Sequence, residues 1–117
     1  MQLEVSTLDD GIKLVKLIGK MDIKGTSQIE DSFTVQTASK KAGVIVDLSQ
    51  VDFVASYGMR ILVSNAKSLA GRGGKMVLFK PTPMVKNVLS SAGIDQLIPV
   101  YDELEAAQTA LQAAIAD

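Results

Sequence analysis

The stretch VDFVASYGMR, Val51–Arg60, runs from a hydrophobic strand pattern into a helix pattern, with Ser56 at the turn, two residues before Gly58. Upstream, Gly43–Leu48 (GVIVDL) is a short, nearly continuous apolar run, which suits a central strand buried on both faces. Downstream, Met59, Leu62, Val63, Ala66 and Leu69 repeat at helical spacing, with Lys67 and Arg72 near the end, until Gly71, Gly73 and Gly74 stop the helix. A buried strand, a tight turn and an amphipathic helix in immediate succession are the repeating unit of an α/β protein.

The flanks extend this unit in both directions. Gln2–Thr7 alternates as a strand, Asp9-Asp10-Gly11 reads as a hairpin turn, and Ile12–Ile18 (IKLVKLI) reads as a second strand ended by Gly19. Thr26 and Ser27 offer helix N-caps. Ser27 with Glu30 fits a capping box, and Ile29 and Phe33 lie one turn apart on a narrow stripe. Past the central unit, Met76–Phe79 is a strand, and Thr82-Pro83 is a cap followed by proline at the first helical position. Val85, Val88, Leu89 and Ala92 form that helix's apolar face, and Gly93 ends it. Leu97–Val100 reads as a short strand, and Asp102 as the cap of a last helix carrying Leu104, Ala107, Leu111 and Ile115. The order β-β-α-β-α-β-α-β-α predicts a single α/β domain over residues 1–117, with a mostly parallel sheet opened by one antiparallel hairpin and about four helices.

Composition narrows the function classes. At 117 residues the chain can bury one real core, and with 47% hydrophobic but only 4% aromatic residues and no Trp that core must be aliphatic. Twelve basic and 13 acidic residues give a net charge of −1, which leaves no cationic excess for several phosphates and argues against nucleic acid as a partner. The longest apolar runs are too short to span a bilayer, so no direct membrane insertion is expected. The opening MQLEVSTLDDG has neither a basic nor an apolar leader region, so no signal peptide and a cytoplasmic location are expected. With no Cys and no His, there are no disulfides, no thiol nucleophile and no thiolate or imidazole zinc ligands, and the commonest general base is missing. No metal and no cofactor is expected.

Several residues invite a chemical reading. A hydrolase elbow reads G-x-S-x-G; here Val54-Ala55-Ser56-Tyr57-Gly58 lacks the first glycine, no His is available as base, and no lysine is marked as a substitute. The cluster Gly71-Arg72-Gly73-Gly74-Lys75 follows a helix, precedes a strand and continues with Met76, so it reads as a helix stop and not a phosphate loop. Asp22 lies after a strand and before a helix, where a turn or capping carboxylate is the simplest role. Asp47 ends the central strand, and two placements stay open for it: bonding loop N–H groups, or facing the Ser56 turn. Met59 is in register with the apolar stripe and is expected in the core. Tyr57 is out of register and is expected exposed beside Ser56, where an aromatic hints at a contact surface. Arg60 belongs to a solvated face or a partner contact. Local chemistry alone reads Ser56 as a helix cap worth about 1 kcal/mol.

The run from Val46 to Arg60, VDLSQVDFVASYGMR, resembles the signature of STAS domains, the anti-sigma factor antagonists, which read D-L-S-x-V-x-x-I-D-S-S-G-L or I-S-S-A-G-L-R. Gly19-Lys20-Met21-Asp22 is similar to that family's G-x-[IL]-D after the second strand. Ser91-Ala92-Gly93-Ile94 with Leu97–Val100 is similar to its C-terminal S-G-L and strand. The resemblance covers nearly the whole chain.

The resemblance implies a non-enzymatic partner-switching regulator. Ser56 falls on the residue that is phosphorylated by a cognate serine kinase of the GHKL type, often itself the anti-sigma factor, and a metal-dependent serine phosphatase reverses the modification. The unphosphorylated form binds the kinase or anti-sigma factor. The implied partner-binding set is Asp22, Asp47, Ala55, Ser56, Tyr57, Gly58 and Arg60. Two positions depart from the pattern: Ala55 replaces the Asp that often precedes the acceptor, and Tyr57 replaces a small residue. The alternative is a non-catalytic accessory subunit docked on an ABC-type membrane transporter, since STAS domains also serve transporters.

Overall fold

A computed structural model describes residues 1–8, 10–37 and 42–115. Its elements are β1 (Gln2–Thr7), β2 (Lys13–Met21), α1 (Ile23–Gln36), β3 (Gly43–Val54), α2 (Ser56–Gly71), β4 (Lys75–Phe79), α3 (Pro83–Ser91), α4 (Ile94–Leu97), β5 (Val100–Tyr101) and α5 (Leu104–Ile115). The five strands lie in chain order, with β1 antiparallel to β2 and every later pair parallel. This is the expected mostly parallel sheet opened by a hairpin. Four long helices and the single-turn α4 pack on it. Of the hairpin turn, Asp9 lies outside the described residues; Gly11 adopts φ +82, a conformation glycine takes without strain.

The core has two unequal layers. Val44, Val46 and Leu48 of β3 join Ile29 and Phe33 of α1, Leu62 and Leu69 of α2, and Val85 and Leu89 of α3 in the larger cluster. Ile45 and Val77, on the alternate face, meet Ala107 and Leu111 of α5. Burial on both faces explains why GVIVDL carries no alternation.

Several boundaries differ from the sequence expectation, each for a local reason. β2 does not stop at Gly19: it runs on to Met21, absorbing register shifts against β3 around Leu17 and between Gly19 and Lys20, with Gly19 at φ +122. Helix α1 starts before Thr26, because Asp22 caps it by accepting the Gly25 amide at 2.7 Å. Thr26 is buried inside the helix, and Glu30 bonds Tyr57 instead of closing a capping box. Leu97 ends α4 and belongs to no strand; β5 is only Val100–Tyr101. Asp102 does not cap α5 but pairs with Lys86 at 3.0 Å. The glycine cluster stops α2 as expected, with the Gly74 amide bonded to the Leu69 carbonyl at 3.0 Å.

Helix α2 is rotated relative to its apparent apolar stripe. Its buried residues are Gly58, Ile61, Leu62, Asn65 and Leu69. Met59, expected in the core, is half-buried and flanks it with Val63 and Ala66. The true inward face carries Gly58 and Asn65 at its centre, so hydrophobicity alone points one residue too far round. Asn65 is tolerated because its amide donates to the Ile61 carbonyl at 2.9 Å and its oxygen accepts from the Thr37 hydroxyl at 3.0 Å.

Candidate partner-binding and modification site

Met21 of β2 pairs with Val54 of β3, so two parallel strands end side by side and their helices α1 and α2 begin on the same rim. In α/β folds this carboxyl edge is where functional residues gather. The Ala55 amide donates to the Met21 carbonyl at 2.9 Å, stitching the two strand ends together. Ala55 then takes the N-cap position with extended backbone and no side-chain cap.

Ser56 is therefore the first residue inside α2, not its cap. Its side chain is exposed and makes no hydrogen bond within the described residues. The first turn of a helix presents unpaired N–H groups and partial positive charge. No acidic residue stands in that turn. Arg60 is exposed one turn further on, and its guanidinium lies 5.6 Å from the centroid of the Tyr57 ring.

Tyr57, expected exposed, is half-buried: its ring packs on the core and its phenol donates a hydrogen bond to the Glu30 carboxylate of α1. That bond pushes the phenol's pKa above its ordinary value, with desolvation adding to it and the Ser27 hydroxyl and Arg60 acting in the opposite direction. Gly58 is buried, because a β-carbon there would lie 2.9 Å from the Met21 β-carbon. Asp22 is half-buried at the cap of α1, on the rim beside Ala55.

Asp47 is not with them. It pairs across the sheet with Lys16 and Phe79, on the face that carries Ile45 and Val77, opposite the face that receives α1 and α2. It is 8% exposed, and its carboxylate accepts the Ser49 amide at 2.9 Å. Of the two placements left open, the backbone-bonding one holds. The structure thus places Ser56, Tyr57 and Arg60 on the first turns of α2 with Asp22 at the head of α1 on the same strand-end rim, gives Ala55 and Gly58 packing roles against Met21, and sets Asp47 apart.

Sequence reasoning overlooked two apolar residues on this rim. Ile23 is 71% exposed at the first position of α1, and Phe53 is 45% exposed, paired with Lys20 near the end of β3. Ile23 falls outside the Ile29–Phe33 stripe, and that was the available signal. Along α2, Ser56, Met59, Arg60, Val63 and Lys67, with Leu97 of α4, line a shallow depression of about 540 Å³ in which none of the described lining residues is acidic.

The model of the STAS domain matches residues 5–107. The chain belongs to the STAS domain family. BtrV of Bordetella bronchiseptica, named as an anti-sigma factor antagonist, is 29% identical to this STAS domain over 106 residues, covering 91% of each chain. Among solved structures, an anti-sigma factor antagonist from Mycobacterium paratuberculosis aligns with a TM-score of 0.84 at 25% identity, covering 95% of this chain and 93% of that one. The fold also matches SpoIIAA in its unphosphorylated form, at a TM-score of 0.74 and 18% identity, covering 93% of this STAS domain and 96% of that chain. No helix among the described residues is long and apolar enough to cross a membrane.

Proposed function

We propose that this STAS domain is an anti-sigma factor antagonist that switches partners according to the phosphorylation of Ser56. The observation that carries the reading is the exposed Ser56 hydroxyl on the first turn of α2, which makes no hydrogen bond among the described residues. Relatives named as anti-sigma factor antagonists support the general role. In this reading the unphosphorylated face binds a GHKL-type serine kinase or anti-sigma factor through Asp22, Ser56, Tyr57 and Arg60.

The physics favours a switch at the interface over one inside the fold. A phosphate of about −1.5 to −2 charge sits well against a helix N-terminus. Arg60, at i+4 from Ser56, is within reach by helix geometry. The domain therefore has no reason to unfold on modification. A partner docked over Ser56, however, would have to bury that charge, at a cost of several kcal/mol when it is left unpaired, and roughly 1.4 kcal/mol already lowers affinity tenfold. A metal-dependent serine phosphatase would restore binding. Ala55 leaves this site without the neighbouring carboxylate of the family pattern. Tyr57 is tied to α1 by its bond to Glu30.

The test is phosphopeptide mapping of the protein isolated from its own cells, with a phosphatase-treated sample alongside, combined with affinity capture. Phosphate on Ser56 that is lost on treatment, with co-capture of a GHKL-type kinase, is the expected result. An unmodified Ser56 across growth conditions, with capture of an ABC-type ATPase, overturns it in favour of a transporter accessory role.

A further inference from the structure

At the far end of α2 the sheet is unfinished. β5 pairs only with Leu78 and Phe79 of β4, so among the described residues the edge of β4 at Lys75 and Met76 has no strand partner on that side. The Leu78 amide points outwards to the Pro99 carbonyl at 2.9 Å, and the amide of Met76, two residues earlier, points the same way. Beside this edge lies a half-enclosed cavity of about 360 Å³, walled mainly by apolar side chains that include Ala66, Met76, Leu97 and Pro99. That volume falls at the lower end of the roughly 300–1,000 Å³ typical of small-molecule sites. Among the described residues, Lys67 and Lys75 are the only charged ones in its lining, and none of the lining residues is acidic. Neither lysine's side chain has an ion pair or hydrogen-bond partner among the described residues. A cavity with apolar walls and two lysines whose charge no described residue neutralises is complementary to one kind of small molecule.

We infer that this cavity binds a linear aliphatic chain ending in a single anionic group, a carboxylate or a phosphate. The hydrocarbon covers the apolar wall, and the anion is held by Lys67 and Lys75. The site is separate from the proposed switch and does not depend on it. Val63, Lys67 and Leu97 nevertheless border both this cavity and the depression that contains Ser56, so an occupant would reach the edge of the modification face.

The experiment is a titration of the ¹⁵N-labelled full chain with decanoate and, separately, decyl phosphate, followed by amide chemical shifts. Decanol and decyltrimethylammonium serve as uncharged and cationic controls. Saturable shifts confined to residues around Ala66, Met76 and Leu97 are expected, and the tighter of the two anions identifies the head group. Combined Lys67→Gln and Lys75→Gln should weaken binding roughly tenfold. Ala114→Phe should block the cavity from α5, where Ala114 lines it yet is exposed, so that the variant keeps its fold. Shifts that never saturate or that spread over the whole domain would overturn the inference. So would decanol binding as tightly as decanoate, or undiminished binding to both variants.

Discussion

Gly58 rests on Met21 so closely that a β-carbon at position 58 would lie 2.9 Å from the Met21 β-carbon and 3.0 Å from its carbonyl oxygen. That same carbonyl accepts the Ala55 amide at 2.9 Å. The start of α2 is thus seated on the last residue of β2. Positions two apart on a helix face nearly opposite ways, so burying Gly58 turns Ser56 outwards. Gly58→Ala should destabilise the domain by about 1–3 kcal/mol, because the neighbouring atoms are backbone and β-carbon and yield little. A denaturant melt measures this; an unchanged midpoint would show that the helix can shift off Met21 at no cost.

The Ser56 side chain makes no hydrogen bond among the described residues and Ser56 is not the cap, so its substitutions should leave folding almost untouched. Ser56→Ala and Ser56→Asp should each stay within about 0.5 kcal/mol of wild type in urea unfolding. Partner binding should separate them. Calorimetry with the captured kinase should find Ser56→Ala as tight as wild type and Ser56→Asp at least roughly tenfold weaker. Equal affinity for both would end the phosphorylation-switch reading while leaving the fold assignment intact.

Asp22 combines a structural role with a proposed contact, and the two can be separated. Its carboxylate caps α1 through the Gly25 amide, so Asp22→Ala should cost about 1 kcal/mol, whereas Asp22→Asn keeps an accepting oxygen and most of the stability. If Asp22→Asn melts like wild type yet binds the partner more weakly, the partner reads the negative charge. Full binding by Asp22→Asn would confine Asp22 to the cap.

The bond from Tyr57 to Glu30 makes a prediction in pH. It favours the neutral phenol and raises its pKa in the folded state. Its contribution to stability is therefore complete below the ordinary tyrosine value of about 10 and is lost as pH rises through the folded value. Ultraviolet titration of phenolate should place the Tyr57 midpoint above that ordinary value. Glu30→Gln should lower it, and Arg60→Gln, which removes an opposing charge, should raise it further. A Tyr57 midpoint insensitive to Glu30→Gln would mean that the contact does not persist in solution.

The element order apart from the single turn of α4, the opening hairpin, the buried central strand and the position of Ser56 at the head of a helix were readable from local pattern. Each follows from periodicities of two or 3.6 and from turn residues that act on their own neighbours. The family likeness was legible for the same reason, since its motifs sit at those turns. What escaped depended on residues distant in the chain. The register shifts between β2 and β3 carried β2 past Gly19, and which face of β3 received α1 and α2, and so which face Asp47 lies on, was settled only when the sheet and helices packed. Gly58 and Asn65 occupy the inward face of α2 only because Met21 leaves room for no side chain and Thr37 and Ile61 satisfy an amide. Tyr57 turns to α1 because Glu30 is there to accept its hydrogen bond. Local pattern sets what a segment becomes; packing between segments sets which way each side chain faces, because close contact and hydrogen-bond satisfaction exist only once the partners have met.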